Sequence, residues 1–179
     1  MFQASVTSTA SLLETDGASS DVLTRIKWLA VYTRSRHEKL LRDELLKKGV
    51  ETFLPVRKVE RHWSDRKKII EEPLFSSYLF VKIPWTERFQ VLNTVGAVRF
   101  IGVRQGNPVE VPEKEIETIR QFVSQEIKMD PFPYLKAGAR VYIRSGPMKG
   151  AEGFVVYKNQ RCRLVISLDL LMQSISVEI

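Results

Sequence analysis

The last 45 residues contain only short apolar strand patterns, and this constrains the fold more than any other feature of the sequence. The strand patterns cover residues 140–144, 153–157, 161–168 and 174–179, and Gly, Asn and Gln residues separate them. So many short strands in so few residues predict a small five-stranded β-barrel. The core of so short a segment is thin, so its turns must be tight.

The preceding block of roughly 100 residues alternates strand and helix patterns. We predict strands at 28–32, 50–59, 69–72, 75–83 and 97–102, and helices at 37–48, 85–94 and 113–127. The helices follow from apolar residues at helical spacing, and the strands from β-prone apolar runs. The order β-α-β-β-β-α-β-α predicts an α+β sandwich whose sheet is rich in antiparallel pairs.

The changes in composition divide the chain into four segments. We expect a flexible N-terminal extension at 1–25, an α+β domain at 26–128, a linker at 129–134 and the barrel at 135–179. The extension is rich in Ser, Thr, Ala, Asp and Gly without a period, and the linker has two prolines in six residues.

The net charge of +7 is concentrated in one part of the sequence. Residues 27–68 hold 13 basic and 6 acidic residues, whereas residues 110–130 hold 3 basic and 6 acidic ones. A localised basic surface indicates a polyanionic partner, most often a nucleic acid. The alternative is a lysine-rich surface that only contacts solvent.

Several function classes lack the residues they need. Cys162 is the one cysteine and His37 and His62 stand apart, so paired-thiolate zinc sites and clustered metal ligands are not expected. No glycine-rich phosphate loop precedes a helix, and no run approaches the roughly 20 apolar residues of a membrane span. We therefore expect a cytoplasmic monomer that is not an enzyme and needs no cofactor, metal or membrane.

A glycine-rich turn joins the first two strands of the predicted barrel. Gly146-Pro147 can turn the chain tightly, and Gly150 and Gly153 allow positive φ or close backbone approach. With its flanking strands, this spacing resembles the KOW motif of translation and transcription factors, and the resemblance implies that the five-stranded barrel is SH3-like.

Three segments of the middle block carry a second resemblance. Residues 27–32 (KWLAVY), 72–81 (EPLFSSYLFV) and 95–102 (VGAVRFIG) look like the N-terminal domain of NusG. From Ile26 to its end, the chain resembles a NusG-family transcription elongation factor, and within that family the specialised RfaH and UpxY-type antiterminators. It departs from the family pattern at Ser76-Ser77, where Pro-Gly or Pro-Asn is usual, and at Leu29, where an aromatic residue is usual.

The NusG resemblance implies binding to RNA polymerase and suppression of pausing or termination in specific operons, such as those for polysaccharide biosynthesis. NusG-like domains receive the clamp helices of the largest catalytic subunit in an apolar hollow. The matching residues here are Tyr32, Phe75, Tyr78 and Phe80. The alternative reading of these aromatic side chains is that all four belong to the core.

A basic surface next to the aromatic residues is the candidate nucleic-acid site. In RfaH-like proteins, the face that matches Arg34, Lys47 and Lys48 contacts non-template DNA, and Arg36 and His37 lie beside it. The alternative is a solvated helix face. A second candidate is the hairpin tip, whose basic and aromatic residues suit stacking on an unpaired base: Arg61, Trp63, Arg66, Lys67 and Lys68. Trp63 could instead fold back onto the sheet.

Two further expectations come from the resemblance. Glu72 and Arg163 fall at the positions of an acid–base pair that docks the two domains of RfaH, although two unrelated surface charges are the simpler reading. The KOW domain is expected to meet a ribosomal protein or a termination factor. The alternative function is a ribosome- or RNA-binding KOW protein that does not bind polymerase.

Overall fold

The computed structural model describes residues 23–62, 67–104, 106–136, 138–158 and 161–179. Within these residues, the strands form a four-stranded and a five-stranded antiparallel sheet and two two-stranded ribbons. Helices accompany only the first part of the described chain. This mixture of helices and antiparallel sheets confirms the predicted α+β class.

The N-terminal block, residues 27–124, contains eight of the described strands and the helices. Its strands are β1 (Lys27–Thr33), β2 (Glu51–Phe53), β3 (Val56–His62), β4 (Lys67–Pro73), β5 (Tyr78–Ile83), β6 (Ala97–Phe100), β7 (Val103–Arg104) and β8 (Asn107–Pro108). Its helices are α1 (Glu38–Lys47), α2 (Arg88–Leu92) and α3 (Glu113–Ser124), with a 3-10 turn at Trp85–Glu87. The four-stranded sheet has the order β2-β5-β1-β6, and β3 and β4 form a separate hairpin.

The four-stranded sheet is buried on both faces at its centre. Side chains alternate across a strand, so Leu29 and Val31 of β1 pack in one apolar cluster with Leu41 and Leu45 of α1. On the other face, Trp28 of β1 belongs to a second cluster, which also contains buried side chains of α3. Burial on both faces explains why the sequence of β1 is a nearly continuous apolar run.

The C-terminal block, residues 129–179, is a five-stranded sheet. Its strands are β9 (Met129–Phe132), β10 (Ala139–Tyr142), β11 (Glu152–Lys158), β12 (Arg161–Leu168) and β13 (Gln173–Glu178), in the spatial order β10-β11-β12-β13-β9. Four of these strands lie where the sequence predicts them. The fifth, β9, lies within the segment expected to be a linker.

Residues 129–132 are therefore a strand, contrary to the predicted linker. Met129 pairs with Val177, and Pro131 pairs with Ile175. Proline lacks an N–H, but an edge strand tolerates it because one side of the strand needs no partner. β9 is such an edge strand, and so Pro131 did not exclude pairing.

Other observed boundaries differ from the predicted ones at residues where the backbone cannot continue a regular strand or helix. The predicted strand 50–59 is divided at Leu54-Pro55, since proline interrupts the ladder. The predicted strand 75–83 begins only at Tyr78, after a turn in which Ser77 has φ +65°. The last helix ends at Ser124, shortly before Glu126 with φ +55°. Residues 1–22 of the expected extension lie outside the described residues.

The two blocks pack against each other and share one apolar cluster. It contains Phe80 and Phe122 of the N-terminal block together with Leu164 and Ile175 of the C-terminal block. We call this contact the seam. Its polar bonds include one from Gln121 Nε2 to the Pro147 carbonyl oxygen (2.9 Å) and an ion pair between Lys114 and Glu152.

Candidate functional site

The four predicted polymerase-binding aromatic residues lie together where β1 meets β5. Tyr32 and Tyr78 are paired across the two strands, and their rings meet edge to face with centroids 5.6 Å apart. Phe75 meets Phe80 in the same way at 6.0 Å, and Phe53 of β2 stacks on Phe80 at 6.2 Å. Three neighbouring strands and the preceding turn thus build one aromatic cluster.

The aromatic cluster differs in exposure from the open hollow that the resemblance implies. Phe75 is 1% and Phe80 is 0% exposed, whereas Tyr32 and Tyr78 are half-buried. Phe75, Phe80 and Tyr78 belong to the apolar cluster that the C-terminal block shares. In this arrangement the two phenylalanines are core residues, and the two tyrosines form the accessible rim.

The turn before β5 decides which face Phe75 occupies. Simple alternation along 75–83 puts Phe75 and Phe80 on opposite faces. The left-handed conformation of Ser77 breaks this alternation, so Phe75 turns toward Phe80. The Ser77 N–H donates to Glu38 Oε1 at 2.7 Å, and the Ser77 carbonyl oxygen accepts a bond from the Thr33 N–H at 2.9 Å. The bend is therefore kept at Ser76-Ser77, where the family has Pro-Gly or Pro-Asn.

The basic residues after β1 are close to the aromatic rim. Arg34 and Arg36 are exposed, and His37 is half-buried with its Nδ1 2.9 Å from the Ser35 carbonyl oxygen. Arg36 has φ +62°, so the chain turns sharply at the start of α1. Arg34 and Arg36 thus form an exposed basic loop beside Tyr32, and the half-buried His37 ends it.

Lys47 and Lys48 do not join that loop, because they lie at the opposite end of α1. At 1.5 Å per residue, the two ends of this helix are roughly 14 Å apart. Lys47 pairs with Glu44 at 2.7 Å, and this hydrogen bond raises the pKa of the lysine. Lys48 Nζ donates to Thr94 Oγ1 at 2.7 Å. The structure thus divides the predicted basic face into two parts.

The hairpin of β3 and β4 carries the second basic group. Lys67 and Lys68 are exposed, whereas Arg61 donates to Glu72 at 2.6 Å. Trp63 and Arg66, the other predicted residues of this tip, lie outside the described residues. Part of the positive charge of the hairpin is therefore already paired with the Glu72 carboxylate of β4.

A chain of four alternating charges links this hairpin to the C-terminal sheet. Arg57 of β3 bonds to Glu72 at 3.2 Å and to Asp130 of β9 at 2.7 Å. Arg163 of β12 lies 3.8 Å from the other Asp130 oxygen. The direct Glu72–Arg163 pair that the resemblance implied does not form, because Arg57 and Asp130 stand between the two residues.

The KOW-like glycine turn uses its glycines for positive φ and for close backbone approach, as the residue types predict. Gly146 and Gly150 have φ +83° and +92°, and the Gly150 N–H bonds to the Ile143 carbonyl oxygen at 2.9 Å. A side chain at Gly153 would clash with the Val165 carbonyl oxygen of β12. Pro147 is exposed at the tip and accepts the bond from Gln121, so this turn also contributes to the seam.

Sequence reasoning missed four residues that organise this region. From the sequence, Glu38 is interpreted as an acidic residue that complements the dipole of its own helix. The sequence does not show that Glu38 accepts a hydrogen bond from the distant turn at Ser77. Arg57 and Asp130 are 73 residues apart, so no local pattern reveals their bond. Arg99 was also missed: its guanidinium lies 5.6 Å from the Tyr32 ring centre and adds a base to the aromatic rim.

Two other kinds of feature are absent from the described residues. No group of three or more His, Cys, Asp or Glu side chains there comes together as a metal site. The helices in the described part of the chain are also too short or too polar to cross a membrane.

Comparison with known proteins identifies related chains. A family model described as transcription termination factor nusG matches residues 26–120. The transcription termination/antitermination protein NusG of Borreliella burgdorferi is 24% identical over 173 residues, which cover 85% of this chain and 94% of that protein. The protein of the same name from Neisseria meningitidis is 28% identical over 150 residues, which cover 82% and 84%.

The fold is shared with a solved structure. It is described as domain interaction in Thermotoga maritima NusG, and it matches with a TM-score of 0.54 at 22% identity. The match covers 87% of this chain and 93% of that one. It therefore includes both the N-terminal and the C-terminal block.

Proposed function

Because this chain belongs to the NusG family of transcription termination and antitermination factors, we propose that it binds RNA polymerase and suppresses pausing or termination in specific operons. We place it in the specialised RfaH and UpxY-type branch. The N-terminal domain extends over residues 26–128, and the C-terminal block is the KOW domain.

The tyrosine rim is the observation that carries the polymerase assignment. Tyr32 and Tyr78 meet edge to face, both are half-buried, and Arg99 lies over Tyr32. Large rings with few rotamers and a polar tip suit a protein contact, here the clamp helices of the largest subunit. The clamp helices contact this rim first, and Phe75 and Phe80 join the contact when the C-terminal block moves away.

The exposed loop at the start of α1 is assigned to non-template DNA. Arg34, Arg36 and His37 lie beside the tyrosine rim, so polymerase and DNA would meet the same edge of the domain. Contacts from these basic side chains to DNA phosphates make the affinity for DNA salt-dependent. Lys47 and Lys48 extend this surface along α1, and the hairpin tip forms a second contact. The KOW domain meets a ribosomal protein or a termination factor.

The experiment is a binding assay between the full chain and purified RNA polymerase, followed by a pausing assay. We expect the Tyr32→Ala/Tyr78→Ala variant to lose at least about 10-fold in affinity, since central aromatic contacts dominate interfaces. Tyr157→Ala is the matched control, because Tyr157 is 81% exposed on the C-terminal sheet. Thermal melting checks that each variant is folded.

Two outcomes would contradict the proposal. If the wild type and the double variant bind polymerase equally well, the tyrosine rim is not the polymerase contact. Absence of polymerase binding, with copurification of ribosomal subunits, would favour a ribosome- or RNA-binding KOW protein.

A further inference from the structure

A cavity of about 490 Å³ lies at the seam, between α3 and the C-terminal sheet. The charged residues that line it come from both sides: Lys114 and Glu115 from α3, and Lys136, Arg140, Glu152 and Asp169 from the C-terminal block. The cavity therefore exists only while the two blocks are in contact. Its charges experience a different environment when the blocks separate.

The basic residues that face Glu115 are engaged with other groups. Glu152 of β11 bonds to both Lys114 and Arg140 of β10. Lys136 lies beside Tyr134, with its Nζ 5.6 Å from the ring centre. Each base on this side of the cavity thus already has a partner.

The two remaining carboxylates line this cavity from different blocks, Glu115 from α3 and Asp169 from the C-terminal block. Asp169, in the turn between β12 and β13, accepts a hydrogen bond from the Tyr134 hydroxyl at 2.8 Å. Glu115 is half-buried, and its carboxylate has no hydrogen-bond or ion-pair partner among the residues that the structure describes. Ionised Glu115 is therefore disfavoured by the loss of water and by the charge of Asp169.

We propose that the contact between the two blocks depends on a proton at Glu115: the protonated carboxyl strengthens the seam, and ionisation opposite Asp169 weakens it. Burial, and secondly the charge of Asp169, raise the pKa of Glu115 from 4.5 to about 7 in the closed arrangement. When the blocks separate, the face of α3 that lines the cavity is more exposed to water. The pKa of Glu115 therefore returns toward its ordinary value. Proton binding and block contact are therefore linked.

The sign of the effect follows from the raised pKa. The stabilisation of the seam is fully present below pH 4.5 and is lost as the pH rises through about 7. After a discount for solvent screening, we expect the equilibrium constant for contact to fall about 10-fold between pH 5.5 and pH 8. Slightly alkaline conditions thus favour release of the C-terminal block from the N-terminal block.

The test is an NMR titration of the full chain between pH 5.5 and 8.5. Two signals are followed: the Glu115 carboxyl carbon, and the side-chain amide of Gln121, which bonds to Pro147 only across the seam. We expect both signals to change with a midpoint near pH 7. Glu115→Gln should hold the seam closed throughout, and Asp169→Asn should move the midpoint to lower pH.

Glu117→Gln is the matched control, since Glu117 lies on the same helix but pairs with Arg120 on its own helix. It should titrate like the wild type. An unchanged seam signal in the wild type, the same transition in Glu115→Gln, or a Glu115 carboxyl that titrates near 4.5 would overturn the proposal. If Glu115→Gln does not fold, the wild-type carboxyl titration and Asp169→Asn decide. Polymerase binding plays no part in these measurements.

Discussion

The Glu38 carboxylate accepts a hydrogen bond from the backbone N–H of Ser77 at 2.7 Å and so ties the first helix to the turn before β5. Glu38 is only 6% exposed, and Ser77 has φ +65°. A serine is strained in this conformation, so the buried carboxylate helps to hold it there. The same turn brings Phe75 against Phe80.

Glu38→Ala should lower the free energy of unfolding by about 1–3 kcal/mol, because it leaves the Ser77 N–H without its acceptor. Ser77→Gly should be neutral or stabilising, since glycine adopts positive φ without strain. Urea denaturation measures both changes. Asp43→Ala, an exposed change on the same helix, is the control and should have little effect. Equal stability of Glu38→Ala and the wild type would show that the bond contributes nothing.

Arg57→Ala should loosen the link between the hairpin and the C-terminal sheet. Arg57 joins Glu72 to Asp130, and without it the two carboxylates keep only Arg61 and Arg163 as partners. We expect a loss of about 1 kcal/mol and faster amide hydrogen exchange in β9. Lys58→Ala is the neighbouring control, because the Lys58–Glu126 pair is exposed. Identical exchange in the two variants would contradict this role.

Glu72 should make the stability pH-dependent in acid. The hydrogen bond from Arg61 is the main cause that lowers the pKa of Glu72 below 4.5, and the bond from Arg57 adds to it. A lowered pKa means that the contribution to stability is present above pH 4.5 and is lost as the pH falls through the native value. Urea midpoints at pH 7 and pH 3 should therefore differ less in Glu72→Gln than in the wild type. Glu60→Gln, on the same hairpin, should retain the wild-type difference.

Gly153→Ala should destabilise the C-terminal sheet by about 3 kcal/mol, because the new Cβ would overlap the Val165 carbonyl oxygen and β12 would have to shift. Gly150→Ala enters open space and should cost only about 1 kcal/mol for its positive φ. Thermal unfolding compares the two variants. Equal losses would indicate that the strand spacing relaxes easily.

Trp63→Ala should weaken binding to polymerase or DNA without unfolding the domain. Trp63 is an aromatic residue among several Arg and Lys residues in the sequence. Such a residue can stack on an unpaired nucleotide base or insert into a groove of a partner protein. The measurements are the affinity for polymerase, the affinity for single-stranded DNA and the melting temperature. Wild-type binding combined with a lowered melting temperature would instead identify Trp63 as a packing residue.

Local patterns predicted the class and most elements because they report which residues need burial and where turns occur. The apolar run of β1, the leucine spacing of α1 and the glycine turn of the C-terminal block are such patterns. The sequence was misleading at residues 129–134, where two prolines in six residues resembled a linker, although residues 129–132 form a strand. Only the position of β9 at a sheet edge makes that strand possible.

Local periodicity and charge were enough to predict the α+β class, the strand-rich C-terminal block and the residue types of the candidate surfaces. Tertiary structure decided the exposure and pairing of those residues. It buried Phe75 and Phe80, separated Lys47 from Arg34, inserted Arg57 and Asp130 between Glu72 and Arg163, and placed Glu115 opposite Asp169. Such relationships join residues far apart in the chain, and only the packing of the two sheets brings them together.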